Sequence, residues 1–214
     1  MSRVKIQSLA LVLVLFAAIS GSAAPSNATP KENMIQQIWK RIVGVPQPPR
    51  GSRGDVCEVT PMSGKVIWND RPIFAWQGEV SQVKLYQEKD LKKAIWFGAV
   101  KPDQTSIAYN GKPLSPGKYI WKAMSKGDAK PLAFEVMGGD NRVLVNQKLQ
   151  QMKQGDLSTQ EVRTSAALSR MEFWSQNGLV SDAAIEMYAM AGSDPDIEAM
   201  RKEFVQETCK MSQP

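Results

Sequence analysis

Histidine is absent from all 214 residues, which removes the usual general base, the imidazole metal ligand and the Ser-His and Cys-His nucleophile pairs together. The chemistry left to the side chains is of three kinds. Paired carboxylates can cleave glycosidic bonds without imidazole. Glu58, Asp70, Glu79 and Glu135 are the candidates among the acids on or near the strand-rich part of the chain, and none is flanked by the aromatic and amide residues of a sugar cleft. Clustered thioethers can hold copper(I). Of the 11 methionines, Met152, Met171, Met187, Met190, Met200 and Met211 fall in the last third, with Met187 and Met190 one helical turn apart. The same positions fit an apolar helix stripe, where methionine fills irregular gaps. Thiols can pair, and Cys57 and Cys209 are the only two. Joined, they would close a loop whose chain entropy is worth at most roughly 5 kcal/mol; two free thiols are the alternative. Ser169 with Arg170 and Ser125 with Lys126 have no supporting motif and read as adjacent surface residues. No Gly-rich phosphate loop, nucleotide fingerprint, Cys-x-x-Cys pair or zinc signature occurs. These residues lead to the expectation of a non-catalytic chain with no cofactor and no bound metal.

The elements that carry those residues begin with an export signal. Arg3 and Lys5 precede the apolar run Leu9 to Ile19 and the small residues Ser20 to Ala24. That order of charge, short apolar core and small-residue exit is a secretory signal peptide over 1–24, with cleavage expected near Ala23 or Ala24. The formal charge of +6 divides unevenly: residues 1–24 hold two bases, 25–56 a net +3, and 57–214 only +1. A basic lead-in to a near-neutral body does not favour nucleic acid. It fits an ordinary solvated linker or weak attraction to an anionic surface.

Residues 25–33 read as disorder. From Met34 to Val43 apolar residues recur three and four apart, the pattern of a short amphipathic helix. It either docks on the body of the protein or makes weak contact with a membrane surface or partner, with Trp39 at the interface and Lys40 and Arg41 on head groups. Residues 44–56 form a Pro/Gly/Arg linker; the Arg53-Gly54-Asp55 tripeptide within it recurs by chance too often to carry weight.

From Lys65 to Met137 short apolar runs alternate with turn formers. Seven strands are expected: Lys65–Trp68, Pro72–Trp76, Ser81–Gln87, Lys93–Gly98, Thr105–Tyr109, Gly117–Met124 and Pro131–Met137. Alternation puts Phe74 with Trp76, Val83 with Leu85, Tyr119 with Trp121, and Leu132 with Phe134 and Val136 on shared faces. Turn chemistry lies between them, at Asn69-Asp70, Asn110-Gly111, Ser115-Pro116-Gly117 and Lys126-Gly127-Asp128. The segment Leu114-Ser115-Pro116-Gly117-Lys118-Tyr119-Ile120-Trp121 resembles the approach to the penultimate strand of fibronectin type III and related immunoglobulin-like domains. Pro72-Ile73-Phe74-Ala75-Trp76 resembles one of their early strands. The resemblance implies a β-sandwich and no ligand.

After Gly138-Gly139-Asp140 the period becomes helical. Val145, Leu149 and Met152 share one face of a first helix. Ser158 with Glu161 is a capping-box signature for a second, with Ala167, Leu168, Met171 and Trp174 in its stripe. Asn177-Gly178 ends it, Ser181 or Asp182 begins a third, and Asp194-Pro195 opens a fourth bearing Ile197, Met200 and Phe204. Trp174, Gly178, Ala183 and Pro195 are spaced as in one tetratricopeptide-like helix pair, though Met171 stands where a small residue is usual. A single unit cannot make a repeat groove, so the helices are expected to pack on themselves or on the sandwich.

The whole arrangement resembles a family of uncharacterised exported proteins found mainly in cyanobacteria. The residues that carry this are Pro48 to Gly54 leading to Cys57, Ile67 to Gly78, Ser106 to Tyr109, Leu114 to Trp121 and Trp174 to Tyr188. The expected organisation is therefore α+β in one chain: signal at 1–24, helix and linker at 25–56, an immunoglobulin-like antiparallel β-sandwich at 57–138 and a C-terminal α-helical bundle at 139–214. The expected function is that of an interaction or structural module of the periplasm or cell envelope, with another envelope protein as partner. An envelope polysaccharide hydrolase and a methionine-based copper binder are the competing classes.

Overall fold

The computed structural model describes residues 29–43, 56–125, 131–152, 158–190 and 192–210. The expected signal segment, the linker as far as residue 55 and the turn at Lys126-Gly127-Asp128 lie outside the described residues. Those described form an α+β arrangement in the order α1 (Pro30–Val43), β1 (Cys57–Thr60), β2 (Lys65–Ile67), β3 (Ile73–Gln77), β4 (Gln82–Gln87), β5 (Trp96–Ala99), β6 (Ser106–Ala108), β7 (Gly117–Met124), β8 (Leu132–Val136), α2 (Gly139–Gln151), α3 (Gln160–Gln176), α4 (Val180–Ala189) and α5 (Pro195–Lys210). All seven expected strands are present, and the Trp96 start of β5 falls three residues later than expected because Leu91, Lys92 and Lys93 form bends. An eighth, β1, was not foreseen.

The strands make two sheets, one of three strands in the order β1-β3-β6 and one of five in the order β2-β8-β7-β4-β5. The expectation of wholly antiparallel pairing is corrected at one place: β2 runs parallel to β8, with Lys65 opposite Phe134 and Ile67 opposite Val136. The cause lies between β1 and β2. Pro61 has no N–H to continue a ladder, and Gly64 takes a φ of 70°, which a residue without Cβ adopts at little cost. The chain thereby leaves β3, and the Gly64 N–H reaches the Ala133 carbonyl at 2.8 Å to begin pairing with the other sheet.

The alternation read from the sequence defines the core between the sheets. Phe74 and Trp76 of β3 meet Val83, Leu85, Tyr119, Trp121, Leu132, Phe134 and Val136 of the larger sheet in one buried cluster. Phe74 is its hub, with ring centroids 5.1 Å from Trp121, 5.5 Å from Trp96 and 6.4 Å from Phe134. The Trp121 indole N–H donates to the Pro61 carbonyl at 3.0 Å, so a buried donor is satisfied as well as packed.

A second core lies where the helices meet the strands. It contains Ile38 and Ile42 of α1, Val59 of β1, Met62, Ala75 of β3, and Ala167, Met171, Trp174, Ala183, Met187, Ile197, Met200 and Phe204 of α3 to α5. Helix α1 begins four residues earlier than expected. Thr29 and Glu32 bond reciprocally, the Thr29 N–H to Glu32 Oε2 at 2.6 Å and the Glu32 N–H to Thr29 Oγ1 at 3.3 Å, a capping box with Pro30 at the first helical position. The expected disorder at residues 25–33 is thus corrected from residue 29 onward. The cap of α3 falls one residue later than expected, on Thr159, whose side chain accepts from the Val162 N–H. At α5 the reading holds: Asp194 accepts from the Asp196 and Ile197 N–H groups at 3.0 and 3.3 Å.

Candidate functional site

Polar chemistry concentrates where the helices meet the chain around β2. The N–H groups of Met62, Trp68 and Asn69 lie outside any strand ladder and need acceptors. The first turn of α4 supplies them. Ser181 Oγ accepts from the Met62 N–H at 3.1 Å, and the two oxygens of Asp182 accept from the Trp68 and Asn69 N–H groups at 2.9 and 2.8 Å. The sequence pattern starts this helix at Ser181 or Asp182. Instead α4 starts at Val180, and both side chains are buried and turned to the strand layer. Burial pushes the Asp182 carboxyl up to about 7, against the two backbone N–H donors, which favour the charged form.

Helix α2 closes the other side of Trp68. The Arg142 guanidinium donates to the Trp68 carbonyl at 2.7 Å and the Met137 carbonyl at 3.3 Å through Nη1, and to Asp70 Oδ2 at 2.8 Å through Nη2. It also lies 5.4 Å from the centroid of the Trp68 ring, within cation–π range. The Trp68 indole N–H donates to Asn146 Oδ1 at 2.7 Å, and its ring sits 5.2 Å from that of Trp174. Each of these groups already faces a partner in the protein. Chemically the arrangement holds two layers in register and leaves neither oxygen of Asp182 turned to a substrate.

The disulfide fastens the far end of the same interface. Cys57 on β1 is bonded to Cys209 on α5, with Cα atoms 5.9 Å apart and 152 residues between them in sequence. Free thiols are therefore not the state of this pair.

No family model, curated protein or solved structure matches the chain.

The remaining residues singled out from the sequence are spread over separate elements. On α1, Ile38 and Ile42 are buried, Trp39 is half-buried against the same core, and Lys40 and Arg41 are exposed. Arg41 reaches Glu172 of α3 at 3.6 Å. Lys31 at the start of α1 pairs with Asp194 at 3.1 Å and Asp196 at 2.6 Å, and its ammonium is raised above its usual value, chiefly by the hydrogen bond to Asp196. Of the four carboxylates weighed for glycoside chemistry, Asp70 is bound to Arg142, Glu58 is buried on β1, Glu79 is exposed after β3, and Glu135 lies half-buried on β8. Met187 is fully buried in the helix–strand core, and Met190 packs against it. Ser169 Oγ donates back to the Ser165 carbonyl at 2.9 Å, and Arg170 binds Glu186 with two bonds of 2.8 and 3.0 Å. Among the described residues no group of three or more Cys, Asp or Glu is arranged to hold a metal ion. No described helix is long and apolar enough to cross a membrane.

Sequence reasoning missed Arg142, Asn146, Ser181 and Asp182 as a functional group. Asp182 lies 114 residues from Trp68 and Arg142 lies 74 residues from it, so no local spacing could reveal them. The one available signal was that Ser181 and Asp182 sit in an otherwise apolar helix start.

Proposed function

We propose that this chain is a non-catalytic, exported interaction or structural module of the cell envelope, an immunoglobulin-like sandwich with a C-terminal helical domain, and that another envelope protein is its partner. The observation that carries the reading is the use made of the buried and half-buried polar residues at the helix–strand joint. The Asp182 carboxylate, Ser181 and the Arg142 guanidinium bind backbone groups of the strand layer, which leaves recognition to the exterior. The immunoglobulin-like assignment is supported by the three-plus-five strand order. It is supported also by Tyr119, at the start of β7, whose hydroxyl donates to the Ser115 carbonyl at 2.8 Å, as in the tyrosine corner of that fold. Export is supported by the charge and apolar pattern of residues 1–24 and by the Cys57–Cys209 bond, which suits an oxidising compartment. The resemblance to exported cyanobacterial-type proteins points the same way.

The test is fractionation of cells producing the full chain, with mass spectrometry of the product and chemical cross-linking of intact envelopes. The reading expects a processed N-terminus at residue 24 or 25, an oxidised Cys57–Cys209 pair and one reproducible cross-linked protein. An unprocessed cytosolic chain contradicts it. So does reducing-sugar release dependent on Glu58, Asp70, Glu79 or Glu135, or copper(I) retained after desalting and lost in Met187→Ala.

A further inference from the structure

Among the described residues, strand β5 is the last of the five-stranded sheet and is bonded on one side only. The Val100 N–H reaches the Ser81 carbonyl at 3.1 Å, which sets the phase of the ladder in which Gln82 faces Ala99 and Lys84 faces Phe97. Residues 96, 98 and 100 therefore bond toward β4, and the peptide groups of Phe97 and Ala99 point to the open edge. Open edges are usually blunted by charge, proline or a covering element. This one carries Phe97 at 67% exposure on the outer face and Ile95 at 43% just before it.

The charge around the edge has one predominant sign. On the outer face Lys122 and Lys84 lie in register with Phe97, and the Lys122 ammonium is 5.6 Å from the centroid of the Tyr86 ring. Exposed Lys92 and Lys93 flank the strand's beginning and exposed Lys101 its end. Against Lys84, Lys89, Lys92, Lys93, Lys101 and Lys122 this hairpin and its neighbour set Glu88, Asp90 and Asp103. Two copies paired edge to edge about a twofold axis would bring Lys101 of each beside Lys92 and Lys93 of the other, like charge against like.

We propose that the open edge of β5 receives an extended acidic segment of a partner polypeptide as an added antiparallel strand. This rests on the interaction-module reading and states where the partner sits. The added strand takes its main-chain bonds from Phe97 and Ala99, places an aliphatic side chain on Phe97, and brings carboxylates within reach of Lys84 and Lys93.

The probe is a capped seven-residue peptide in which threonine alternates with glutamate, valine and glutamate, so that two glutamates flank the valine on one face; it is added to the isotope-labelled full chain and followed by amide NMR and hydrogen exchange. The Phe97 and Ala99 amides are expected to shift and gain protection, and the effect should weaken with salt and be absent with the counterpart that has lysine for glutamate. Ala99→Pro removes only an outward N–H and should weaken binding about tenfold. Phe97→Ser, which leaves the backbone unchanged, should weaken it similarly. Shifts confined to other surfaces, equal binding of the lysine peptide, or protection of Phe97 and Ala99 that rises with protein concentration alone would overturn the proposal, the last in favour of a second copy. A photo-crosslinker at position 97 and another at exposed Leu144 of α2 separate this proposal from the reading beneath it. Capture of one protein at 144 and none at 97 overturns the edge and leaves the module reading intact; capture at neither removes both.

Discussion

The two cores of this molecule are built by different means. Between the sheets, aromatic rings fill the space, with Phe74, Trp76, Trp121 and Phe134 all at or near zero exposure, and the backbone on both sides is satisfied by strand ladders. Between the helices and the strands, alanine, methionine and isoleucine do much of the packing, with Trp174, Tyr188 and Phe204 among them. There the backbone around β2 is completed by Ser181, Asp182 and Arg142, and by a covalent bond at β1. Away from its ends a helix satisfies its own backbone and has no acceptor to offer the unpaired N–H groups of a neighbouring strand layer. Side chains must supply the acceptors, and the joint gains direction from them that apolar packing lacks.

The comparison is broken most strongly at the disulfide. Its loop separation of 152 residues gives a chain-entropy limit of about 5 kcal/mol. Reduction, or Cys57→Ser with Cys209→Ser, is expected to lower stability by about 2–5 kcal/mol in denaturant titrations. It should speed amide exchange in α5 and β1 before β4 and β7. Equal to it in size is Trp121→Ala, which empties the centre of the aromatic core and orphans the Pro61 carbonyl; its expected cost is about 3–5 kcal/mol. This loss should appear in both cores together, since the helices rest on β1 and β3.

Asp182→Ala leaves the Trp68 and Asn69 N–H groups without their acceptors, at about 1–3 kcal/mol for each group left unsatisfied. The same residue gives the joint a pH dependence. Its carboxyl is raised from an ordinary 3.8 to about 7 in the folded chain, so between those values the folded state binds the extra proton. The contribution is full below about pH 4 and is lost as pH rises to about 7, at up to about 1.4 kcal/mol per pH unit. Asp182→Asn should lack that slope, and the difference between the two proteins across pH 4 to 8 isolates it. Asp194 runs the opposite way. Burial alone would raise its carboxyl, but Lys31 and the Ile197 and Asp196 N–H groups hold it below 3.8, so its contribution at the α1–α5 contact is lost on acidification. The smallest effect is expected from Arg41→Ala, whose partly exposed pair with Glu172 should be worth less than about 1 kcal/mol.

The aromatic core was legible because a strand advertises its buried face every second residue: Phe74 with Trp76, and Tyr119 with Trp121, needed no long-range information. Strand β1 was missed because Cys57 to Thr60 is four residues long and is cut off by Pro61. The parallel pairing of β2 could not be read, since it depends on which sheet the chain joins after Gly64. The start of α1 was present as Thr29-Pro30-Lys31-Glu32, a capping signature hidden in a polar stretch with few apolar residues to mark a helix. The joint was the least legible part. Ser181 and Asp182 look like any helix start, and their partners are fixed by the packing of α4 against β2, which no periodicity encodes.

The account depends most on the polar side chains of α4 and α2 holding the strand layer in place. Native-state hydrogen exchange of the Asp182→Asn and Ser181→Ala proteins tests it directly. Exchange at Trp68 and Asn69 in the first variant, and at Met62 in the second, should accelerate while Tyr119 and Trp121 of β7 stay as protected as in the parent chain. Unchanged protection at Trp68, Asn69 and Met62 would contradict it.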